Sequence, residues 1–291
     1  MTAMDRDVSF VSWVSPDGEQ IPLSGYHRDG TAGVWLGGEP KNMSVVETKA
    51  IFEAAARQRG ETWVGETMDH NEIDLPLFIL ADSSHELRLR REHLKLAMPT
   101  THEGWLVVGT SVTGLRWVAA RRREMVPLYQ KDVDLASGLR IDVVLSVDYP
   151  LSRTANVDRE WRYQPPASGS TPLRPGGALW LDPGPEFESW PEFTFVGPGQ
   201  PWIKYGDVEF DLGFKVLAGE RVLIVTDQAR PTVRGITADG KRRNLLPLLK
   251  GKKFSAPILP GEVARVDFAV SGAGPGTALL ASAPMSWEGL L

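Results

Sequence analysis

Ile73-Asp-Leu-Pro-Leu-Phe-Ile-Leu80 and the segment behind it, Ser83-Ser-His-Glu86, decide how this chain reads. Ile73, Leu75, Leu77 and Ile79 alternate onto one face, the period of a half-buried strand. After a turn at Ala81-Asp82, the Ser83 hydroxyl can accept from the Glu86 amide, and the Glu86 carboxylate can reach back to the Ser83 amide. The helix so started is expected to run to about Met98, because Pro99 disfavours the α region for the residue before it. Leu87, Leu94 and Met98 make one apolar stripe, widened by Leu89, His93 and Leu96, while Arg88 and Glu92 sit four apart on the wet side. Trp105-Leu-Val-Val108, a Thr113-Gly114 turn and Leu115-Arg-Trp-Val118 follow. The unit is a strand, one capped helix, then a hairpin.

Downstream, Leu139, Ile141, Val143, Leu145, Val147 and Tyr149 alternate with Arg140, Asp142, Ser146 and Asp148, the pattern of an antiparallel strand with one buried face. Upstream, Val8-Ser-Phe-Val-Ser-Trp-Val14 reads as a strand closed by the turn Ser15-Pro-Asp-Gly18. Residues 21–23 and 33–36 read as short strands. Over 44–59 the propensities favour a helix stopped by Gly60. Past Tyr149 the chain changes character. Gln164-Pro-Pro-Ala-Ser-Gly-Ser-Thr-Pro-Leu-Arg-Pro-Gly-Gly177 is too rich in proline, glycine and serine for a regular element. Beyond it, Phe193-Thr-Phe-Val196, Trp202-Ile-Lys-Tyr205, the alternation of Val208, Phe210, Leu212, Phe214 and Val216, Glu220-Arg-Val-Leu-Ile-Val-Thr-Asp227, and Ala264, Val266, Phe268 and Val270 are strands punctuated by glycine and proline. That spacing indicates a β-sandwich.

These two halves resemble one family. "LPLFILADSSHELRLRREHLKLAMPTTHEGWLVVGTSVTGLRWV" is similar to the N-terminal domain of siphophage distal tail proteins, which form rings at the tip of long non-contractile tails. The order "PEFTFVG … LAGERVLIVTD … GITADG … FSAPILPGEV" resembles their galectin-like C-terminal domain. Gly219-Glu220 and Leu259-Pro260-Gly261 match by position, whereas Glu262 stands where the family often has asparagine. The resemblance covers about residues 70–291, and it implies an extended segment within 44–59 where local propensity favours a helix. It also implies a mainly β fold: an N-terminal ring-forming domain with one α-helix over 1–150, a linker over 151–175, and a galectin-like β-sandwich over 176–291. The implied role is a structural virion component, forming a hexameric ring that joins the tail tube protein to the tail-tip proteins.

Composition is consistent with this and excludes other classes. A formal net charge of −5 is unlike a dedicated nucleic-acid binder. No run of about 18 apolar residues is present, so no membrane span is expected, and the first residues lack the apolar core of a signal peptide. With no cysteine there are no disulfides, thiolate metal sites or thiol nucleophiles.

Chemistry-bearing motifs are sparse. His27, His70, His85, His93 and His102 show no metal spacing, and Asp69-His70-Asn71-Glu72 reads as a polar turn before a strand. No P-loop, Rossmann or nucleophile-elbow motif occurs. Glu186 and Glu188 could be cast as a glycosidase pair, but two acids in a loop are commonplace. No catalytic, cofactor-binding or metal-binding residue is assigned, and no cofactor is expected. Ten tryptophans keep a glycan-binding sandwich as an alternative, although Trp105 and Trp117 lie in strand patterns and read as core. A β-sandwich hydrolase is the third reading. Arg121, Arg122 and Arg123, three like charges at a strand end, are the candidate contact with a neighbouring subunit. If residues 164–177 form the linker, limited proteolysis should cut there first and leave two protected fragments. First cleavage inside 139–149 would contradict the division.

Overall fold

The computed structural model describes residues 10–25, 33–44, 46–129, 137–165, 174–249 and 251–291. The chain forms two compact units, Met1–Thr154 with Trp287–Leu291, and Ala155–Ser286. In the first, the elements are β1 (Phe10–Val14), β2 (Gln20–Ser24), β3 (Val34–Leu36), β4 (Thr48–Glu53), β5 (Thr62–Met68), β6 (Asn71–Leu80), α1 (Ser84–Ala97), β7 (Gly104–Thr110), β8 (Gly114–Leu128) and β9 (Gly138–Val147). β10 (Ser152–Arg162) starts here and continues in the second unit.

β6 and β9 pair antiparallel along their whole length, from Asn71↔Val147 to Leu80↔Gly138. Directly opposed residues share a face, so Ile73, Leu75, Leu77 and Ile79 meet Leu145, Val143, Ile141 and Leu139, and all eight are buried. β3 flanks β6 and β8 flanks β9. β8 serves two ladders: up to Ala120 it pairs with β7, from Arg121 it pairs with β9, and a bulge between Arg122 and Glu124 interrupts the second. β7 pairs with β1, which pairs with β2.

The helix begins as the sequence indicates. Ser83 Oγ accepts from the Glu86 amide at 3.2 Å, but the Glu86 carboxylate accepts from the Asp82 amide at 3.0 Å, one residue earlier than expected. That amide, aided by Arg90, holds the Glu86 carboxyl below its ordinary pKa. Leu87, Leu94, Ala97 and Met98 are buried, and Trp13 Nε1 donates to the Ala97 carbonyl at 2.8 Å, tying β1 to the end of the helix. The expected widening of the stripe does not occur. Leu89 and Leu96 are exposed, and His93 faces outward to Glu19 at 2.9 Å. The helix packs on one sheet only, so a narrow stripe is all that can be covered.

Several expectations are corrected by pairing. The described residues of 44–59 hold no helix; β4 forms a hairpin with β5, whose ladder satisfies the backbone that the helix would have satisfied internally. Tyr149 lies beyond the end of β9 and is exposed, with the Arg153 guanidinium over its ring at 5.3 Å. Trp105 is 39% exposed and Trp117 half-buried, because β7 and β8 turn Leu106, Val108, Val118 and Ala120 inward. The core tryptophan is Trp13.

The end of the chain belongs to this first unit. Leu290 is buried in its core, and its amide donates to the Met43 carbonyl at 2.6 Å. The buried Arg116 guanidinium lies 4.7 Å from the Trp287 ring and bonds the Gly289 carbonyl at 3.4 Å. Ser152 Oγ donates to the carbonyls of Trp287 and Gly289. Gly289 has φ of 74°, and a Cβ there would overlap the Ser44 carbonyl. These last five residues, Trp287–Leu291, group with the first unit, whereas the residues before them from Ala155 form the second.

The second unit holds β11 (Gly176–Leu181), β12 (Glu192–Val196), β13 (Gln200–Tyr205), β14 (Val208–Asp211), β15 (Arg221–Val225), β16 (Thr232–Ile236), β17 (Arg242–Asn244), β18 (Ala264–Ser271) and most of β19 (Ala278–Trp287). One sheet runs β17–β16–β15–β12–β19–β10 and the other β11–β18–β13–β14. Phe193, Phe195, Val222 and Ile224 from the first meet Ile203, Phe210, Val266 and Phe268 from the second in one core, so the unit is a β-sandwich. Tyr205 Oη donates to the Phe254 carbonyl at 3.0 Å, and burial pushes its pKa up. β18 does not close the set, since β19 returns beside β12. β14 ends at Asp211, short of the expected alternation to Val216, and Gly213 follows with φ of 71°. Part of the expected linker is the strand β10, held by Val157 and by Trp161, whose ring lies 5.1 Å from that of Phe268. Residues 166–173 of that linker lie outside the described residues.

Leu94→Ala should cost about 2–5 kcal/mol in denaturant unfolding, whereas Leu96→Ala should stay within about 0.5 kcal/mol. Equal effects would show that the helix buries another face. The depressed Glu86 pKa adds stability that is present above the ordinary carboxylate pKa and is lost as pH falls through the folded value. Glu86→Gln should therefore remove part of the acid sensitivity of the melting temperature.

Candidate assembly surfaces

The sequence-predicted contact, Arg121, Arg122 and Arg123, opens the ladder of β8 with β9 and runs into its bulge between Arg122 and Glu124. The bulge sends the three side chains to different places. Arg121 makes two bonds to the Asp148 carboxylate, at 2.7 and 2.8 Å, and Arg123 pairs with Glu72. The Arg122 amide donates to the Pro99 carbonyl at 3.2 Å, its guanidinium reaches Met125 Sδ at 3.7 Å, and its Nε is buried without a partner among the described residues. Two of the three charges thus find acids within the chain. Neither acid is near the cluster in sequence, so only the fold reveals them.

A second surface escaped the sequence reading because its first strand fell within the segment 44–59, where propensity favours a helix. β4 and β5 form a two-stranded ladder that joins neither sheet of the unit. Phe52 pairs with Trp63, and both are more than half exposed; Ile51 and Val64 are exposed beside them. Lys49 pairs with Asp69 at the base of the hairpin, lowering the Asp69 pKa. Isolated two-stranded hairpins are marginal in water, and both edges of this one present unpaired backbone. The β-branched and aromatic run Thr62-Trp63-Val64 was the available signal.

Chemistry is no better gathered in space than in sequence. Among the described residues no group of three or more histidine, aspartate or glutamate side chains could hold a metal ion. Asp69 is taken by Lys49, Asn71 by the Asn42 carbonyl, and His70 lies 3.5 Å from Glu72. Glu188 accepts from Trp190 Nε1 at 3.2 Å. A hollow of about 380 Å³ over β6, β8 and β9 is lined by Glu39, Lys41, Asp74, Glu124, Arg140 and Asp142, and within it Arg140 pairs with Asp142 at 3.0 Å. Among the described residues no helix is long and apolar enough to cross a membrane.

The chain matches no known family profile and no curated protein sequence. Solved structures do match. The Dit protein of phage SPP1, described as a paradigm of the hub adsorption apparatus in phages infecting Gram-positive hosts, aligns with a TM-score of 0.63 at 12% identity. The alignment covers 96% of this chain and 99% of that one. The chain has the fold of a phage Dit hub protein. Two structures of the phage P2 baseplate in its activated conformation, with calcium and with strontium, align at TM-scores of 0.56 and 0.54. Both are 10% identical, with 96% and 95% of this chain and 98% of each matched chain covered. At such identity the Dit likeness lives in the topology of the units rather than in shared side chains.

Within this Dit fold the β4–β5 hairpin contributes nothing to either core. Replacing Phe52 and Trp63 together by serine should lower unfolding stability by no more than about 1 kcal/mol, the scale of one cross-strand pair. A larger loss would mean that the hairpin packs on its own unit.

Proposed function

We propose that this protein is a structural component of a phage tail tip, a hub that self-associates through its first unit into a ring between the tail tube protein and the tail-tip proteins. The ring is hexameric, as the resemblance to distal tail proteins implies. The protein works in the virion tail, after synthesis in the host cytoplasm, and it is not an enzyme. The observation that carries this reading is a hub fold matched over 96% of this chain and 99% of SPP1 Dit. The domain plan behind it takes 1–150 as ring former, 151–175 as linker and 176–291 as sandwich, with Trp287–Leu291 returning to the first unit.

The surfaces support the reading. A ring contact is heterologous, one patch meeting a different patch on the neighbour. A hairpin with exposed Phe52 and Trp63 and two open edges is a suitable donor for such a contact, since closure covers what a monomer exposes. In the cluster of Arg121, Arg122 and Arg123, Arg122 has no carboxylate partner among the described residues and is the ring-contact candidate.

The test is mass photometry of the full chain at two salt concentrations. Phe52→Asp with Trp63→Asp should abolish the oligomer, and Arg122→Glu should weaken it more at low salt, where repulsion at the reversed charge is less screened. Oligomers unaffected by all three changes, or assembled through the sandwich, would overturn the ring assignment.

A further inference from the structure

The second unit carries a concentration of unneutralised positive charge in a chain whose formal net charge is −5. β15, β16 and β17 are the last three strands at one edge of its larger sheet, and β17 is exposed throughout. Arg221 pairs across to Ile236, and Ile236 to Arg242; Leu223 pairs to Arg234, and Arg234 to Asn244. Opposed residues share a face, so Arg221, Arg234 and Arg242 stand together on the side away from the buried Val222, Ile224 and Val233. Arg243, opposite Gly235, points to the other side, and Arg230 stands in the turn before β16.

Among the described residues none of these five guanidiniums has an ion pair, although carboxylates are close in sequence. Those carboxylates serve local turns instead. Glu220 accepts from the Leu217 amide at 3.0 Å, Asp227 from the Ala229 amide at 2.8 Å, and Asp239 pairs with Lys241 at 2.9 Å. The positive field is therefore left open.

Shape adds a second observation. A hollow of about 290 Å³ lies over β16 and β17, lined by Arg234, Arg242, Arg243 and Leu246 among others. A second, of about 180 Å³, is lined by Phe214, Val216, Leu245 and Leu248, with Arg221 and Arg243 at its sides. Arg243 lines both, so the hollows adjoin. Charges on an edge strand would by themselves serve to keep strands of other molecules away. That role needs no apolar hollow beside them, and Leu248 is half exposed.

We propose that this edge docks an extended acidic segment of a partner protein, its carboxylates on Arg234, Arg242 and Arg243 and one apolar side chain in the hollow of Phe214 and Leu248. Guanidinium forks suit carboxylates, the open side of β17 offers backbone pairing to an added strand, and arginine beside apolar surface is the composition of protein interfaces. Phe214 is the single aromatic ring among the described residues that line the two hollows, whereas a nucleic-acid strand stacks its bases on successive aromatic rings. The inference concerns the sandwich alone and stands whether or not the first unit closes a ring.

Fluorescence anisotropy of the full chain tests it, with a labelled peptide of repeating Glu-Thr-Leu as probe, and a Lys-Thr-Leu peptide, poly-glutamate and a single-stranded oligonucleotide as comparators. The Glu-Thr-Leu peptide should bind, more tightly than poly-glutamate, and lose affinity with added salt. Arg234→Glu with Arg243→Glu should weaken it by about tenfold or more, and Leu248→Asp should abolish the advantage over poly-glutamate. All these positions are exposed, so melting temperatures should be unchanged. No binding, equal binding of the lysine peptide, or indifference to both sets of changes would overturn the proposal. Tighter binding of the oligonucleotide than of the peptide would overturn the choice of partner.

Discussion

The ladder between β6 and β9 is the constraint on which the first unit depends. Ten residues pair with ten, and a strand's side chains alternate with period two, so a slip by one residue would turn the whole buried set to solvent. Ile73, Leu75, Leu77 and Ile79 and their four partners therefore specify register as well as stability. The other elements attach to this ladder: β3 extends it on one side, β8 on the other, and α1 lies across the core. β8 carries the order onward, for it pairs with β9 from Arg121 and with β7 up to Ala120, and β7 brings β1 and Trp13 under the end of the helix.

What the sequence made legible follows from this. Strict alternation in β6 and β9, the Ser83 cap and the Thr113-Gly114 turn are local signals, and each produced the element it indicates. The sandwich was legible for the same reason, through Phe193, Phe195, Val266 and Phe268. The failures are non-local. Residues 48–53 have helix-forming composition, and only a partner strand from 62–68 makes them extended. Trp105 and Trp117 are aromatic residues in strands, but which face is buried depends on what lies across the core. Leu290 gives no sign in sequence that it will fill the core of a unit whose main chain ended about 136 residues earlier.

The candidate surfaces were less legible than the fold. Arg121, Arg122 and Arg123 form a conspicuous run, yet Asp148 and Glu72 take up two of the three charges once the chain is folded. The arginines of β15–β17 are scattered in sequence, and they become one surface only through the pairing of three strands. Charge patterns along a chain indicate composition, and tertiary pairing decides which charges remain uncompensated.

Electron microscopy of the purified full-length protein tests the central claim most directly. The account expects closed rings of identical subunits, with the β4–β5 hairpin at the contact between neighbours. Monomers at every concentration with the hairpin exposed, or contacts formed only through the sandwich, would contradict it.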